Sequence, residues 1–210
     1  MIRPPTGLAG HGIDKSFGRR RVLANAELEV TSGEVVALVG ENGAGKSTLL
    51  RICAGLLRPD AGKVSLRGRL GHCPQATGLF DLLTPAEHLV LFGAARGLPP
   101  SEALAAGEAL LGELHFRGAL GLRVRELSEG SRQKLSLVLA LLGDPEVLLL
   151  DEPYQGFDHG SYVSFWDQVA HWREGGRAVV VVTHLLAERA LVDRVVELAA
   201  PDGDRGRSPA

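Results

Sequence analysis

The stretch that decides the fold is Gly40-Glu41-Asn42-Gly43-Ala44-Gly45-Lys46-Ser47-Thr48. It fits the pattern G-x-x-x-x-G-K-[S/T], which requires a strand before it and a helix after it. The apolar run Val35–Val39 precedes it and predicts a strand covered on both faces. Apolar residues at helical spacing follow and predict a helix over Lys46–Leu57, which Pro59 stops. The sequence therefore predicts a phosphate-binding loop between a strand and a helix.

The residue types of this loop suit a nucleotide. Gly43 and Gly45 allow the backbone to curl so that consecutive amides face phosphate oxygens, and the helix start adds its positive dipole end. Lys46 would place a charge on the β- and γ-phosphates, and the Ser47 hydroxyl suits a Mg²⁺ ligand. The alternative is an incidental glycine-rich turn. The predicted nucleotide contacts in the loop are Gly40, Asn42, Gly43, Ala44, Gly45, Lys46, Ser47 and Thr48.

A second acidic element follows the apolar run Val147–Leu150, which ends in Asp151, Glu152 and Pro153. Two carboxylates at the end of a buried strand are costly unless a cation or a reaction needs them. Asp151 fits a partner of Mg²⁺ held through water, and Glu152 fits the group that orients or deprotonates an attacking water. A solvated turn is the alternative. Beside a phosphate loop the functional interpretation is favoured.

Composition limits the class of protein. The chain has 210 residues, which favours one domain, and its 45% hydrophobic and 23% charged residues exclude a disordered chain. The longest apolar stretch, Leu137–Leu142, is far shorter than the roughly 18 to 20 residues that span a bilayer. The start of the sequence lacks the apolar core of a signal peptide, so we expect a cytosolic protein. Cys53 and Cys73 are expected to be small buried hydrophobes.

Charge gives two further expectations. The formal net charge of −2 argues against a general nucleic-acid binder. One basic run, Arg19-Arg20-Arg21, interrupts the first third of the chain. Three neighbouring arginines between strand-like segments are most often a solvated turn, and a phosphate-binding role is the alternative.

The remaining patterns predict a parallel sheet with crossover helices. Residues 84–142 are rich in Ala, Leu and Glu at helical spacing and predict a mostly helical lobe, and residues 201–210 predict a frayed tail. Strands are predicted at Val22–Val30, Lys63–Leu66, Val147–Leu150 and Ala178–Val182, with a helix at Ser161–Arg173.

Further motifs appear in a fixed order around these elements. Phe17 lies in Lys15–Gly18, and Gln75 follows Cys73-Pro74. The run Leu127-Ser128-Glu129-Gly130-Ser131 precedes a predicted helix. Tyr154–Asp158 follows the acidic pair, and His184 follows a predicted strand. Together with the phosphate loop they resemble the adenine-stacking aromatic, Q-loop, signature motif, D-loop and switch histidine of the ATP-binding subunit of an ABC transporter. The resemblance runs from about Ile13 to about Leu198. It implies an α/β fold with a P-loop NTPase parallel-sheet core, an antiparallel β sub-region at the N-terminus and an inserted helical sub-lobe, in a single domain over residues 1–200.

The resemblance also implies roles for these residues. Gln75 would reach the metal and the attacking water, His184 would bond the γ-phosphate, and Phe17 would stack on adenine through its π-face. Ser128 and Gly130 would approach the γ-phosphate of an ATP held by the opposite subunit, and Asp158 would couple the two sites across the dimer. Ser128 as a plain helix N-cap and Phe17 as a core residue are the alternatives.

The signature departs from the family pattern at two positions, because Glu129 replaces a glycine and Ser131 replaces a glutamine. A carboxylate at position 129 near a phosphate would repel it, so we expect this side chain to point away. This departure leaves an alternative open: the chain would bind ATP as one half of an asymmetric pair and would hydrolyse little of it.

The resemblance implies a transport ATPase that uses ATP and Mg²⁺. Its partners would be a second ABC ATPase domain, identical or related, and a separate transmembrane permease docked near Leu79–His88, so that the chain lies at the inner face of the cell membrane. The Leu83–Leu89 run and the expected absence of a C-terminal regulatory domain favour export. Alternatives are a non-transport ABC ATPase that acts on nucleic acid or ribosomes, and a P-loop kinase of a small metabolite.

Overall fold

The buried run Val35–Val39 forms β3, a strand inside a five-stranded sheet with the order β5-β6-β7-β3-β8. The computed structural model describes residues 6–116, 120–183 and 190–200. All four strand pairs in this sheet are parallel, as a fold with crossover helices requires. The other strands are β5 (Leu70–Cys73), β6 (Val147–Asp151), β7 (Ala178–Val182) and β8 (Arg194–Glu197).

A second sheet precedes and interrupts this core. It contains β1 (Gly7–Phe17), β2 (Arg20–Thr31) and β4 (Ala61–Arg67), all antiparallel, in the order β2-β1-β4. The parallel core and the antiparallel N-terminal region are both confirmed.

Helices cover the parallel sheet. The α1 helix is Lys46–Cys53, and α5 is His159–Glu174. Three helices lie in the predicted helical lobe: α2 (Pro85–Ala95), α3 (Pro100–Glu113) and α4 (Glu129–Leu141), with a 3₁₀ turn at Val124–Glu126. In the described ranges, none of the helices combines the length and apolarity needed to cross a bilayer.

The two faces of the parallel sheet bury separate clusters. One cluster packs α4 and α5 against alternate strand residues and includes Leu135 and Phe165, both fully buried. The other packs α1 and the antiparallel sheet against the opposite face and includes Leu23 and Leu49. The strand before the phosphate loop and the helix after it are therefore both fixed by this second cluster, which includes Leu38 and Leu49.

Several sequence-based bounds were wrong. The α1 helix was predicted to reach Leu57 but ends at Cys53, because Ala54 caps it and Gly55 takes a positive φ of 73°. β1, β5 and β8 were not predicted. The predicted tail, residues 201–210, lies outside the described residues.

Both cysteines are free and buried, as expected. Burial raises the pKa of the Cys53 thiol and of the Cys73 thiol to about 12. Neither thiol is therefore activated near neutral pH.

Candidate functional site

The loop between β3 and α1 needs glycine for steric reasons. Gly45, the N-cap of α1, has φ of 100°, and a Cβ there would lie 2.8 Å from Leu23 Cδ2 and 2.9 Å from the Val22 carbonyl oxygen. Gly43 has φ of 82°. A Cβ at Gly40 would lie 2.5 Å from the Leu198 carbonyl oxygen. The loop can therefore form this cradle only with bare backbone at these positions.

Lys46 is buried at the start of α1, with 6% of its surface exposed. Its ammonium donates to the carbonyl oxygens of Gly40 at 2.8 Å and Glu41 at 3.1 Å. Burial lowers the pKa of Lys46, and the carboxylates of Glu152 and Asp151 offset part of this effect. A polyanion in the loop would favour the charged form of this lysine in the same way.

A cleft of about 860 Å³ opens beside the loop. It brings together the predicted phosphate loop, the predicted Q-loop glutamine, the second residue of the acidic pair and two residues of β2. Its lining residues are Arg20, Val22, Asn42, Gly43, Gly45, Lys46, Ser47, Thr48, Gln75 and Glu152.

Part of the cleft is lined by residues that follow two neighbouring parallel strands. Gln75 follows β5 and Glu152 follows β6, and Gln75 Nε2 donates to Glu152 Oε2 at 3.0 Å. Glu152 has a positive φ of 49°, a backbone conformation that costs a non-glycine residue about 1 kcal/mol or more and is frequent at functional sites. Asp151, the last residue of β6, is 97% buried (3% exposed).

The donor set also suits a hard divalent cation. Hydroxyl and carboxylate oxygens are the ligands that Mg²⁺ prefers. Ser47 lines the cleft, and Asp151 lies close enough to Lys46 for its charge to raise the pKa of the lysine. Gln75 is also a predicted metal contact, and in the structure its side-chain amide donates a hydrogen bond to Glu152. These metal roles remain predictions.

Phe17 ends β1 with half of its surface exposed, which argues against the alternative of a core residue. Lys15 Nζ lies 5.7 Å from the centroid of its ring. Across the hairpin Phe17 pairs with Arg20, which lines the cleft. Its stacking role remains a prediction.

The predicted signature residues lie at the start of α4. Ser128 is the N-cap: its Oγ accepts from the Ser131 backbone N–H at 3.2 Å and donates to Ser131 Oγ at 3.0 Å. A Cβ on Gly130 would lie 2.5 Å from the Gly156 carbonyl oxygen. Glu129 packs over the same turn, since its Cγ is 3.1 Å from the position of a Cβ on Gly156. The signature and the predicted D-loop are therefore in direct contact within this chain.

The predicted D-loop is tied to α5 and to the end of β7. Asp158 caps α5 and accepts from the Ser161 backbone N–H at 2.8 Å. The Tyr154 hydroxyl donates to Thr183 Oγ1 at 2.6 Å. Thr183 precedes His184, which lies outside the described residues.

The predicted site residues therefore fall into two groups in the described part of the chain. Six residues of the loop, together with Gln75 and Glu152, share the cleft, whereas the following do not line it: Phe17, Gly40, Ala44, Ser128, Gly130, Asp151 and Asp158. Sequence reasoning missed Val22 and favoured a solvated turn for Arg20. The signal that identifies both is the alternation along β2, which places residues 20 and 22 on one side.

Comparisons with known proteins place this geometry in context. A family model described as "ABC transporter" matches residues 23–155. An ABC transporter ATP-binding protein of Methanocaldococcus jannaschii is 32% identical over 89% of this chain and 71% of its own. ATP-binding cassette sub-family A member 9 of Homo sapiens is 39% identical over 84% of this chain, which spans only 12% of that protein. A solved dimeric ATP-binding cassette in a post-hydrolysis state, bound to ADP and Pi, has a TM-score of 0.83 at 24% identity, covering 92% of this chain and 94% of that one.

Proposed function

Because the chain belongs to the ABC transporter family of ATP-binding cassettes, we propose that it is the ATP-hydrolysing part of a membrane transporter. It binds ATP in the cleft beside residues 40–48 and converts it to ADP and phosphate. The reaction is coupled to transport through a transmembrane permease. Since this chain spans a small part of its sub-family A relative, the permease is either a separate polypeptide, which we favour, or a further segment of the same protein.

One observation carries the proposal: the phosphate loop, Gln75 and Glu152 line a single cleft. The loop amides and Lys46 bind the phosphates of the nucleotide. The Glu152 carboxylate, held by the Gln75 amide, accepts a proton from the attacking water. A Mg²⁺ ion held by Ser47 and Asp151 would neutralise developing negative charge on the phosphate oxygens.

The arrangement of Ser128 and Gly130 supports a dimer. Both residues lie outside the cleft of their own chain, so they are available to a nucleotide held by another cassette. Ser128 caps the start of α4, and the start of a helix favours an anion. Two cassettes, identical or related, would enclose two ATP molecules, and hydrolysis would remove the bridge between them.

An exposed apolar loop supports a docking face for the permease near Leu79–His88. His88 is fully buried and holds this loop: its Nε2 accepts from the Phe80 backbone N–H at 2.9 Å, and its Nδ1 donates to the Thr84 carbonyl at 2.8 Å. Phe80 and Leu82 remain 53% and 65% exposed. Docking there would place the chain at the inner face of the membrane, and the resemblance of Leu83–Leu89 to exporter ATPases favours export.

Phosphate release by the purified chain tests the hydrolytic part. We expect Mg²⁺-dependent release from ATP without an acceptor, and weaker ATP binding when Lys46→Met removes the ammonium but keeps the aliphatic stem. Release that needs an added metabolite would instead indicate a kinase. Co-purification with a polytopic membrane protein tests the transport part, whereas co-purification with RNA or DNA would contradict it.

Glu129 favours a second candidate, a cassette that binds ATP but hydrolyses little of it as one half of an asymmetric pair. Its carboxylate lies in the first turn of α4, the end that would face the partner's nucleotide. If this second function holds, Glu129→Gly raises phosphate release by the homodimer. If the first holds, the substitution leaves the rate unchanged.

A further inference from the structure

The three arginines at positions 19–21 have three different environments. The Arg21 guanidinium pairs with the Asp14 carboxylate at 2.5 Å, and Arg21 does not line the cleft. Arg19 lies in the turn between β1 and β2 and has no hydrogen bond or ion pair in the described ranges. Arg20, the first residue of β2, lines the nucleotide cleft. The basic run is therefore more than one solvated turn.

The strand geometry aims Arg20 at the phosphate loop. Side chains alternate along a strand, so Arg20 and Val22 share one side of β2. Val22 Cγ1 and its carbonyl oxygen lie 3.1 Å and 2.9 Å from the position of a Cβ on Gly45. Arg20 Nη2 lies 3.6 Å from the position of a Cβ on Gly43. This side of β2 therefore runs along the loop, with the guanidinium at Gly43.

A tight hairpin fixes the backbone of Arg20. Phe17 and Arg20 are paired across a loop of only two residues, and Gly18 takes a positive φ of 59° at its first position. Arg20 therefore lies between Phe17, the predicted adenine platform, and Gly43 of the phosphate loop. A nucleotide that reached from one to the other would pass the guanidinium.

We propose that Arg20 binds the phosphate chain of the nucleotide, a role that rests on the proposed function of the cleft. A guanidinium donates in a planar fork that matches two phosphate oxygens, and it stays charged at every physiological pH. Lys46 reaches the phosphates from the base of the loop, whereas Arg20 reaches them from the neighbouring sheet. Since Arg20 is exposed, its contribution falls with ionic strength.

Equilibrium binding of ATP, ADP and AMP to Arg20→Ala, Arg20→Lys and Arg19→Ala tests the proposal. We expect Arg20→Ala to weaken ATP binding about 5- to 20-fold. This loss lies between that typical of an exposed ion pair and that typical of a hydrogen bond to a charged group. The loss should be smaller for ADP and smallest for AMP, and Arg20→Lys should recover part of it. Arg19→Ala, the matched loss of one positive charge, should stay within about 2-fold of the wild type.

Three results would overturn the proposal: unchanged ATP affinity of Arg20→Ala, an equal loss in Arg19→Ala, or an equal loss for ATP and AMP. The last result would indicate a contact with the nucleoside instead. Wild-type protein that fails to bind ATP would refute the proposed function itself, so the two failures are distinguishable. The thermal unfolding midpoint of each variant checks folding, and Arg20→Gln replaces Arg20→Ala if the latter does not fold.

Discussion

Gln75 and Glu152 are joined by a hydrogen bond of 3.0 Å from the amide Nε2 to the carboxylate Oε2. They follow β5 and β6, adjacent parallel strands, so the bond ties two strand ends at the edge of the cleft. The neutral amide of Gln75 donates this bond, and both side chains line the cleft beside the phosphate loop. In the proposed mechanism, this bond would hold Glu152 in position to act as the base beside the phosphate loop.

Glu152→Gln should slow phosphate release by about 10² to 10⁴-fold, because an amide has no basic oxygen to take the proton of an attacking water. ATP affinity should change little, since the phosphate loop is intact. Single-turnover phosphate release and equilibrium ATP binding measure the two effects. Glu113→Gln, an exposed change at the end of α3, is the control for lost charge. Unchanged turnover in Glu152→Gln would exclude the proposed role.

Gly45→Ala should abolish ATP binding and destabilise the chain, because the new Cβ would enter the space of Leu23 and the Val22 carbonyl. Gly55→Ala is the matched control: Gly55 also has a positive φ, of 73°, but no atom lies within 4 Å of its Cβ position. The control should cost about 1–2 kcal/mol of the free energy of unfolding and keep ATP binding. Equal effects of both variants on ATP binding would show that crowding in the cradle is irrelevant.

Gly130→Ala should push the start of α4 away from the turn at Gly156, since the Cβ would lie 2.5 Å from its carbonyl oxygen. We expect a loss of about 1–3 kcal/mol in the free energy of unfolding, typical of overpacking, together with slower phosphate release by the dimer. Gly112→Ala in α3 meets nothing within 4 Å and should instead stabilise by about 0.5–1 kcal/mol. Chemical denaturation measures both. A neutral Gly130→Ala would contradict the tight contact.

Glu34 predicts a pH dependence of stability. Burial alone would raise the pKa of Glu34, but hydrogen bonds from the Thr31 backbone and from Arg194 outweigh it and hold the pKa below its ordinary value of 4.5. A lowered carboxyl pKa stabilises the folded chain fully above the ordinary value, and this stability is lost as pH falls through the folded pKa.

Glu34→Gln should therefore be less stable than the wild type near neutral pH, and the difference should shrink as the solution is acidified through the carboxyl range. Denaturant midpoints across that range measure the difference. Glu108→Gln, an exposed position on α3, provides the comparison. A difference that stays constant on acidification would show that Glu34 acts by shape and not by charge.

The sequence predicted those elements whose local pattern agrees with their surroundings. Val35–Val39 is a strand over its full predicted length, because an uninterrupted apolar run fits only a position buried on both faces. β1 escaped prediction because Gly7, Gly10 and Gly12 interrupt its pattern and its pairing with β2 contains register shifts. β5 is only four residues long and includes Gly71 and His72, so the segment is too short to show a periodic pattern of apolar residues.

The candidate site was predictable where chemistry depends on spacing along the chain, as in the loop that holds Lys46. The Gln75–Glu152 hydrogen bond and the Gly130–Gly156 contact join residues that are far apart in the sequence, so no local sequence pattern predicts them. The position of Arg20 in the cleft was not predicted, because a run of three arginines does not show which side of a strand each one takes.

The bonds from Lys46 to the carbonyls of Gly40 and Glu41 have a thermodynamic consequence. They hold the loop in its curled shape, together with the packed strand and helix at its two ends. A nucleotide that entered would meet a loop already shaped for it, so little conformational entropy would be lost on binding. In the proposed function, phosphate oxygens would replace these two carbonyl acceptors on the ammonium, which requires the rotation of one side chain instead of the folding of a loop.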